Sequence, residues 1–336
     1  MGTVRLSGIE DLHVHGGEGG DGGGNIHLFA AGYSWVRNVE SEASIGGSVA
    51  LSACFRCEVR DSYLHSTQDP NPGGAGYGLV INAHAADNLA ENNMIWNFNK
   101  VMAMRASGGG NVIAYNYVED GWISYDSHWP ESGLNASHFT TPHHELFEGN
   151  LGWNFEGEST WGNSIYITVF RNHLTGQRRS VPPLELGPDD TGFRRVVMLQ
   201  VGHWWYSFLG NVLGTSDQES ARGFEVEWED EEPTGQEPVF MWYLGDGAYS
   251  EEMAVDDPEA AIALVRERTI RHGNFDAVSG EVSWEAGIDR RDLPPSLYLG
   301  EAPAFFDGYR WPWVEPEGGE AGRLPARDRF DELHGL

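Results

Sequence analysis

Side-chain amides and carboxylates that return at a near-constant interval constrain this chain more than any other feature. Short alternating runs are interrupted by Asn or Asp at residues 11, 38, 61, 93, 116, 150, 172 and 211, as in Trp35-Val36-Arg37-Asn38-Val39 and Phe208-Leu209-Gly210-Asn211-Val212-Leu213. The successive spacings are 27, 23, 32, 23, 34, 22 and 39, so 22–23 residues define a minimal unit and longer gaps add an insertion to it. A unit this short cannot bury its own apolar face, but stacked units bury one another's. Asn suits the bend because it tolerates a left-handed backbone and its amide can bond both backbone and the next unit's Asn. Antiparallel hairpins would instead need turn signals every ~8–12 residues. The expected fold is all-β: a right-handed, single-stranded parallel β-helix over residues 1–214, with a C-terminal appendage over 215–336.

The repeat also places the other strands. One is expected ahead of each rung strand, at 25–30, 49–53, 79–83, 101–106, 138–141 and 196–201, with no clear candidate between Asn150 and Asn172. The insertions, at 16–24, 66–78, 121–136 and 177–195, then leave from one edge of the solenoid, where loops on a rigid scaffold wall a groove. In the appendage, 225–232 reads as an acidic solvated loop. Asp256-Asp257-Pro258-Glu259 opens a helix expected to run to about 271. The aromatic stretch 297–313 reads as an extended arm packed on the solenoid, and 315–336 as a poorly ordered tail.

Charge narrows the partners. With 51 acids against 21 bases the formal charge is −30, and Lys100 is the one lysine. Such a surface repels nucleic acid and anionic lipid, and no apolar run is long enough to span a membrane. Cys54 and Cys57 lack a second pair to complete a zinc site and are expected to be buried thiols. The adjacent His143-His144 would point to opposite sides of a strand and makes a poor metal pair. The N-terminus shows no signal peptide, and the chain enters the repeat almost at once, so upstream sequence is expected to have been removed.

The coils, above all Asn111-Val112-Ile113-Ala114-Tyr115-Asn116-Tyr117 and Phe147-Glu148-Gly149-Asn150, resemble those of the pectate lyase superfamily, the pectin lyase-like solenoids. The likeness covers residues 8–214. His272-Gly273-Asn274-Phe275-Asp276, Leu297-Tyr298-Leu299 and Pro303-Ala304-Phe305-Phe306 resemble the tail of an uncharacterised bacterial branch. The resemblance implies action on, or binding of, polysaccharide in an extracellular or periplasmic setting. Its catalytic signatures do not carry over: the Trp-Ile-Asp-His segment of pectate lyases and the paired Asp of polygalacturonases are missing. Arg171-Asn172-His173 followed by Arg178-Arg179 and Pro182 matches the lyases' Arg-Pro-Arg stretch only loosely.

Aligning the coils puts His27, Ser52, Asn82, Arg105, His138, Thr140 and Gln200 on the outer face. Arg105 beside His138 is a pair able to stabilise an enolate and shuttle a proton. The insertion after Gly121 supplies Trp122, Tyr125, Asp126, His128 and Trp129, and the next coil supplies Glu156, Glu158 and Trp161. Aromatics beside carboxylates can stack on sugar rings and bind hydroxyls, and two carboxylates can serve as the acid and base of a glycosidase. The expected catalytic residues are therefore Arg105, Asp126, His138 and Glu156, and the expected substrate-binding residues are Trp122, Tyr125, His128, Trp129, Trp161 and Asn82. The expected function is a secreted polysaccharide-cleaving enzyme, with hydrolysis favoured over elimination because the acidic surface suits a neutral glycan. The alternatives are a lyase using Arg and His with Ca²⁺, and a non-catalytic glycan-binding module. Ca²⁺ held by loop carboxylates is the one cofactor considered, and no spacing fixes its ligands.

Overall fold

The corners come first, because they are where the backbone leaves the ordinary β region. In the computed structural model Asp11, Asn38, Asp61, Asn92, Tyr115, Gly149, Arg171, Gly210 and Gly273 all have φ between 50° and 70°. A non-glycine residue in that left-handed region is uncommon, so six of them, with three glycines, at one corner of successive coils mark a built repeat. The described residues are 3–16, 24–68, 75–121, 133–139, 141–159, 161–177, 195–215, 221–222, 239–247 and 255–336.

The strands stack in parallel into a right-handed β-helix. One face is formed by Ile26–Phe29, Gly47–Ser52, Tyr77–Asn82 and Lys100–Arg105, and is continued by Leu134–Asn135, Phe155–Gly157, Arg195–Gln200 and Val239–Asp246. The other two faces meet at the corner just described. Each runs through seven or more coils, for example Glu58–Arg60, Leu89–Glu91, Val112–Ala114, Leu146–Glu148, Thr168–Phe170 and Tyr206–Leu209. Register puts Val36, Val59, Ala90, Ile113, Phe147, Val169 and Phe208 in one inward column, all fully buried. Each large member of such a column contributes about 1.5–3 kcal/mol of burial.

The amide ladder stands one residue beyond the left-handed column. Asn93, Asn116, Asn150, Asn172, Asn211 and Asn274 are all buried. Each accepts on Oδ1 from the preceding coil: Asn116 Nδ2 and backbone N both donate to Asn150 Oδ1 at 3.0 Å, and Asn150 donates likewise to Asn172 at 2.9 Å. Residues 11, 38 and 61 are not in this column. They belong to the left-handed column, where Asn38 donates to Asp11 and Asn92 to Asp61, both at 2.7 Å. Ser62 stands where the ladder would otherwise begin, its N–H donating to Asn93. The offset escapes a sequence reading because Asn suits both positions.

The parallel coils also continue past residue 214. Thr269–His272 pairs with Tyr206–Leu209, and Asn211 donates to Asn274 at 2.8 Å across a gap of 63 residues. The helix is shorter than expected, Pro258–Glu267, because residues 269–272 are taken into this coil; Asp257 caps it by accepting from Ala260 N–H. The tail is ordered: Pro325–His334 is helical and buries Phe330 completely against Trp96 and Tyr117. The aromatic arm crosses the same surface, with Phe306 and Trp313 packed on Met94, Tyr115 and Tyr117. Of the loosely lyase-like stretch, Arg178, Arg179 and Pro182 lie outside the described residues, and Arg171 serves the arm. Its guanidinium donates to the arm carbonyls of Pro294, Val314 and Leu293 at 2.9, 2.7 and 3.2 Å.

Candidate functional site

The first face carries the polar cluster. Tyr77 pairs with Lys100, and Asn82 with Arg105, at opposite ends of adjacent strands. The two cations converge on one ring, with Lys100 Nζ 5.6 Å and the Arg105 guanidinium 5.8 Å from the Tyr77 centroid. Arg105 also lies 4.8 Å over Phe139 of the next coil. Asn82 Oδ1 and Arg105 Nε are buried without a hydrogen-bond partner among the described residues.

His138 is not in a strand. Sequence placed one at 138–141, whereas the structure has Leu134–Asn135, pairing with Phe155–Glu156. His138 and Phe139 have φ of 99° and 58° and form the corner that follows. That turn directs the imidazole into the cluster. His138 Nδ1–H donates to Glu158, and Nε2 lies 3.5 Å from Lys100 Nζ. Glu158 accepts a second bond from Trp161 N–H at 3.2 Å, tying the segment that presents Trp161, 57% exposed, to the same corner. Gly162 lies so close beneath Phe139 that a Cβ there would meet the Phe139 carbonyl oxygen at 2.2 Å.

Burial sets the charge states. Lys100 is 4% exposed, and desolvation lowers its pKa to about 7, opposed by Glu158 and reinforced by Arg105. Desolvation also lowers His138, against the pull of Glu158. Burial works against the Glu158 carboxylate, but its hydrogen bond and charge contact with His138 prevail and hold its pKa below the ordinary value. At neutral pH the arrangement is thus a carboxylate, an uncharged imidazole oriented by it, and an amine divided between its two protonation states.

Glu156, expected as a catalytic carboxylate, is fully buried and accepts from Arg195 Nε at 2.7 Å. Such a pair is a poor proton donor, because neutralising the acid strands the guanidinium. Trp122, Tyr125, Asp126, His128 and Trp129 lie outside the described residues, as does Thr140. Ser52, Asn82 and Arg105 stack in register with Phe29; His27 stacks instead with Ala50 and reaches Ser52 by a 2.7 Å hydrogen bond. Gln200, one coil beyond Glu158, accepts from Ser159 N–H at 2.7 Å. Sequence reasoning missed Lys100 and Tyr77, although a lone lysine in a chain with 20 arginines was a visible signal. It noted Glu158 without linking it to His138. His143 and His144 are not a metal pair: their rings meet edge to face, and His144 stacks on Tyr166, itself stacked on Trp205. Cys54 and Cys57 are buried, free thiols.

The class defined so far is a parallel β-helix with a basic, His-containing cluster on one outer face. The chain matches no protein-family model and no curated protein by sequence. Among solved structures it is similar to a DFA-IIIase from Arthrobacter chlorophenolicus A6, at 13% identity and TM-score 0.31, covering 58% of this chain and 52% of that one. It is also similar to a mannuronic acid specific polysaccharide family 6 lyase from human gut microbiota, at 13% identity and TM-score 0.32, covering 82% and 71%. A third is the tailspike protein of Pseudomonas phage LKA1, at 11% identity and TM-score 0.24, covering 67% and 41%. The chain thus spans about half the length of the first of these. No helix among the described residues is long and apolar enough to cross a membrane.

Proposed function

We propose that the protein is a secreted polysaccharide lyase acting on a uronate-containing glycan at the Lys100–His138–Arg105 cluster. One observation carries the reading: a desolvated amine, a Glu158-oriented imidazole and a guanidinium converge on the outer face of the solenoid. Elimination needs a base for the proton α to a carboxylate and a cation to stabilise the enolate that forms. Lys100 is the base in its neutral form, and Arg105, whose guanidinium lies over Phe139, binds the carboxylate. The C5–H electron pair forms the C4–C5 double bond, the C4–O bond breaks, and the leaving oxygen takes up a proton that the Lys100 ammonium can return. Phe139 and Trp161, both exposed, offer apolar faces to sugar rings. A divalent cation bridging substrate to the acidic surface would assist binding, a role the sequence suggested for Ca²⁺.

Hydrolysis was the sequence-based preference, drawn from the acidic surface, with Asp126 and Glu156 as its expected carboxylates. The ion pair between Glu156 and Arg195 removes one of these from contention as a free acid. The non-catalytic reading draws on the exposed stack of His144, Tyr166 and Trp205, which is a binding surface without a catalyst.

The test is digestion of a panel of polyuronates and neutral glycans, with and without chelator, followed by ultraviolet absorbance of unsaturated uronide ends. We expect such ends from a polyuronate, with kcat/KM rising with pH and levelling above about 7 as Lys100 loses its proton. Cleavage of a neutral glycan without unsaturated product supports hydrolysis instead. Saturable binding with no cleavage of any substrate supports the binding module.

A further inference from the structure

At the N-terminal end of the described solenoid, on a different face from the Lys100 cluster, three neighbouring strands carry His, Glu and Tyr at alternating positions. They are His13-Val14-His15, Glu40-Ser41-Glu42 and Tyr63-Leu64-His65. Residues two apart in a strand share a face. Register sets His13 against Glu40 and Tyr63, and His15 against Glu42 and His65. Ser41 and Leu64, between them, are buried, so the imidazoles and carboxylates form one outward patch.

The donor atoms are grouped as metal ligands are. One ligand atom from each of His13, Glu40 and Glu42 lies within 4.8 Å of the others. Donors around a tetrahedral ion, each about 2.0–2.2 Å from it, stand roughly 3–4 Å apart. His13 Nε2 is 2.9 Å, and His15 Nε2 3.9 Å, from the same oxygen, Glu42 Oε1.

The tautomer of His15 is informative. Its Nδ1 lies 2.7 Å from the Gly16 carbonyl oxygen, which can only accept. Nδ1 therefore bears the proton, and in the neutral ring Nε2 turns a lone pair toward a carboxylate oxygen. A cation bound there would lie between that lone pair and the Glu42 carboxylate oxygen. Outside this group His65 steadies Glu40. Its Nε2 is 3.2 Å from Glu40 Oε1, its Nδ1 is 3.0 Å from Ser66 Oγ, and its ring stacks on Tyr63 at 4.0 Å. Such outer partners orient metal-binding groups.

We propose that His13, His15, Glu40 and Glu42 bind a divalent transition ion of the zinc class, clamping the first two coils together. Mixed imidazole and carboxylate donors suit zinc, whereas Ca²⁺ and Mg²⁺ take oxygen ligands. Among the described residues Gly8–His15 pairs on one side only, with Trp35–Glu42, so it is an edge strand. A clip between the two strands holds the first described coil in register with the second. The side chains are half-exposed, which gives the ion a path from solvent.

The experiment is calorimetric titration of the chelator-treated full chain with ZnCl₂, CaCl₂ and MgCl₂ at neutral pH, alongside thermal melts. We expect one Zn²⁺ per chain, a melting temperature that rises with Zn²⁺, and no comparable response to Ca²⁺ or Mg²⁺. His15→Ala and Glu42→Ala each weaken Zn²⁺ binding by roughly tenfold or more, since even outer-shell losses reach that range. Both changed side chains face solvent, and circular dichroism in the absence of metal checks that the variants stay folded. Zn²⁺ affinity unchanged in both folded variants, no saturable Zn²⁺ uptake by the parent chain, or a preference for Ca²⁺ overturns the proposal. Should either variant unfold, His13→Asn provides the same readout.

Discussion

Two corners of the same coil carry different repeats. At the corner between the second and third faces, the coils from Asn93 onward each set a left-handed residue before a buried Asn whose amide joins two neighbours. At the corner that ends the first face, Ala30, Ala53, Ala83 and Ala106 take the left-handed position in four coils, and the pattern breaks at His138, whose imidazole meets Lys100 and Glu158 from other coils. The ladder satisfies its amides with neighbouring amides and backbone groups, so it adds rigidity and offers nothing to a ligand. The first-face corner gathers unlike groups whose charges are held away from their ordinary values, which is the condition chemistry needs. A repeat protein can support both because the stacking of strands in register serves both corners.

The sharpest way to break this contrast is Lys100→Met. If the first-face corner is the catalytic one, the variant loses roughly 10²–10⁴-fold in kcat while its melting temperature stays near the parent's. Steady-state kinetics on the polyuronate found active checks this, and an unchanged kcat sinks the assignment of Lys100 as base.

Asn150→Ala is the converse change. It removes an acceptor of two bonds and a donor to Ile113 and Asn172, all buried. About 2–4 kcal/mol of stability should go with it, since the partners are left unsatisfied. Urea melts measure the loss, and kcat of the folded fraction should hold.

A second ladder supplies a finer test. Asn88 donates to Asn111 at 2.8 Å, and Asn111 donates to Glu145, which stands where an amide would be expected. Burial pushes the Glu145 carboxyl up to about 7, against the hydrogen bonds of Ser107 and Asn111. The folded chain thus holds a proton that the unfolded chain has already released, and stability falls as pH rises from about 4.5 to 7 and then levels. Glu145→Gln should flatten that slope and raise stability at pH 8 by at most about 3 kcal/mol. Melts across pH decide it: a slope that persists in the variant assigns the effect to another group.

The smallest effect should come from Asn38→Gly, on the left-handed column one residue before the ladder position. Gly accepts its φ of 50° without strain, and the lost bond to Asp11 is solvent-exposed. A change below about 1 kcal/mol is expected. A loss as large as that for Asn150→Ala would mean that both columns support the solenoid equally.

The coil period, the parallel stacking and most strands of the first face were legible along the chain, but Phe155–Gly157 was not foreseen and Leu134–Asn135 was placed at 138–141. Asn116, Asn150, Asn172 and Asn211 stand in one column, as their spacing suggested. The same reading put residues 11, 38 and 61 in that column, because one Asn preference serves two neighbouring positions with opposite burial. It placed Arg105 and His138 on adjacent coils but gave His138 a strand, since nothing local distinguishes a strand residue from a corner that insertion 121–136 has displaced. It passed over Lys100, whose role depends on burial rather than on a motif. The arm was read as packed on the solenoid, whereas 315–336 read as a poorly ordered tail because its apolar residues have no period. Both are shaped to the aromatic surface formed by Met94, Trp96, Tyr115 and Tyr117.

What the amino-acid order determined by itself is therefore the coil: a backbone bend and a satisfied amide encoded within every 22–23 residues, needing only a copy of itself above and below. What the tertiary structure alone decided is which unlike side chains meet. Lys100 and His138 are 38 residues apart, and His15, Glu42 and His65 come from three different coils. Insertions of unequal length separate these partners, so counting along the chain cannot align them. Only the stacking of strands in register brings them within reach.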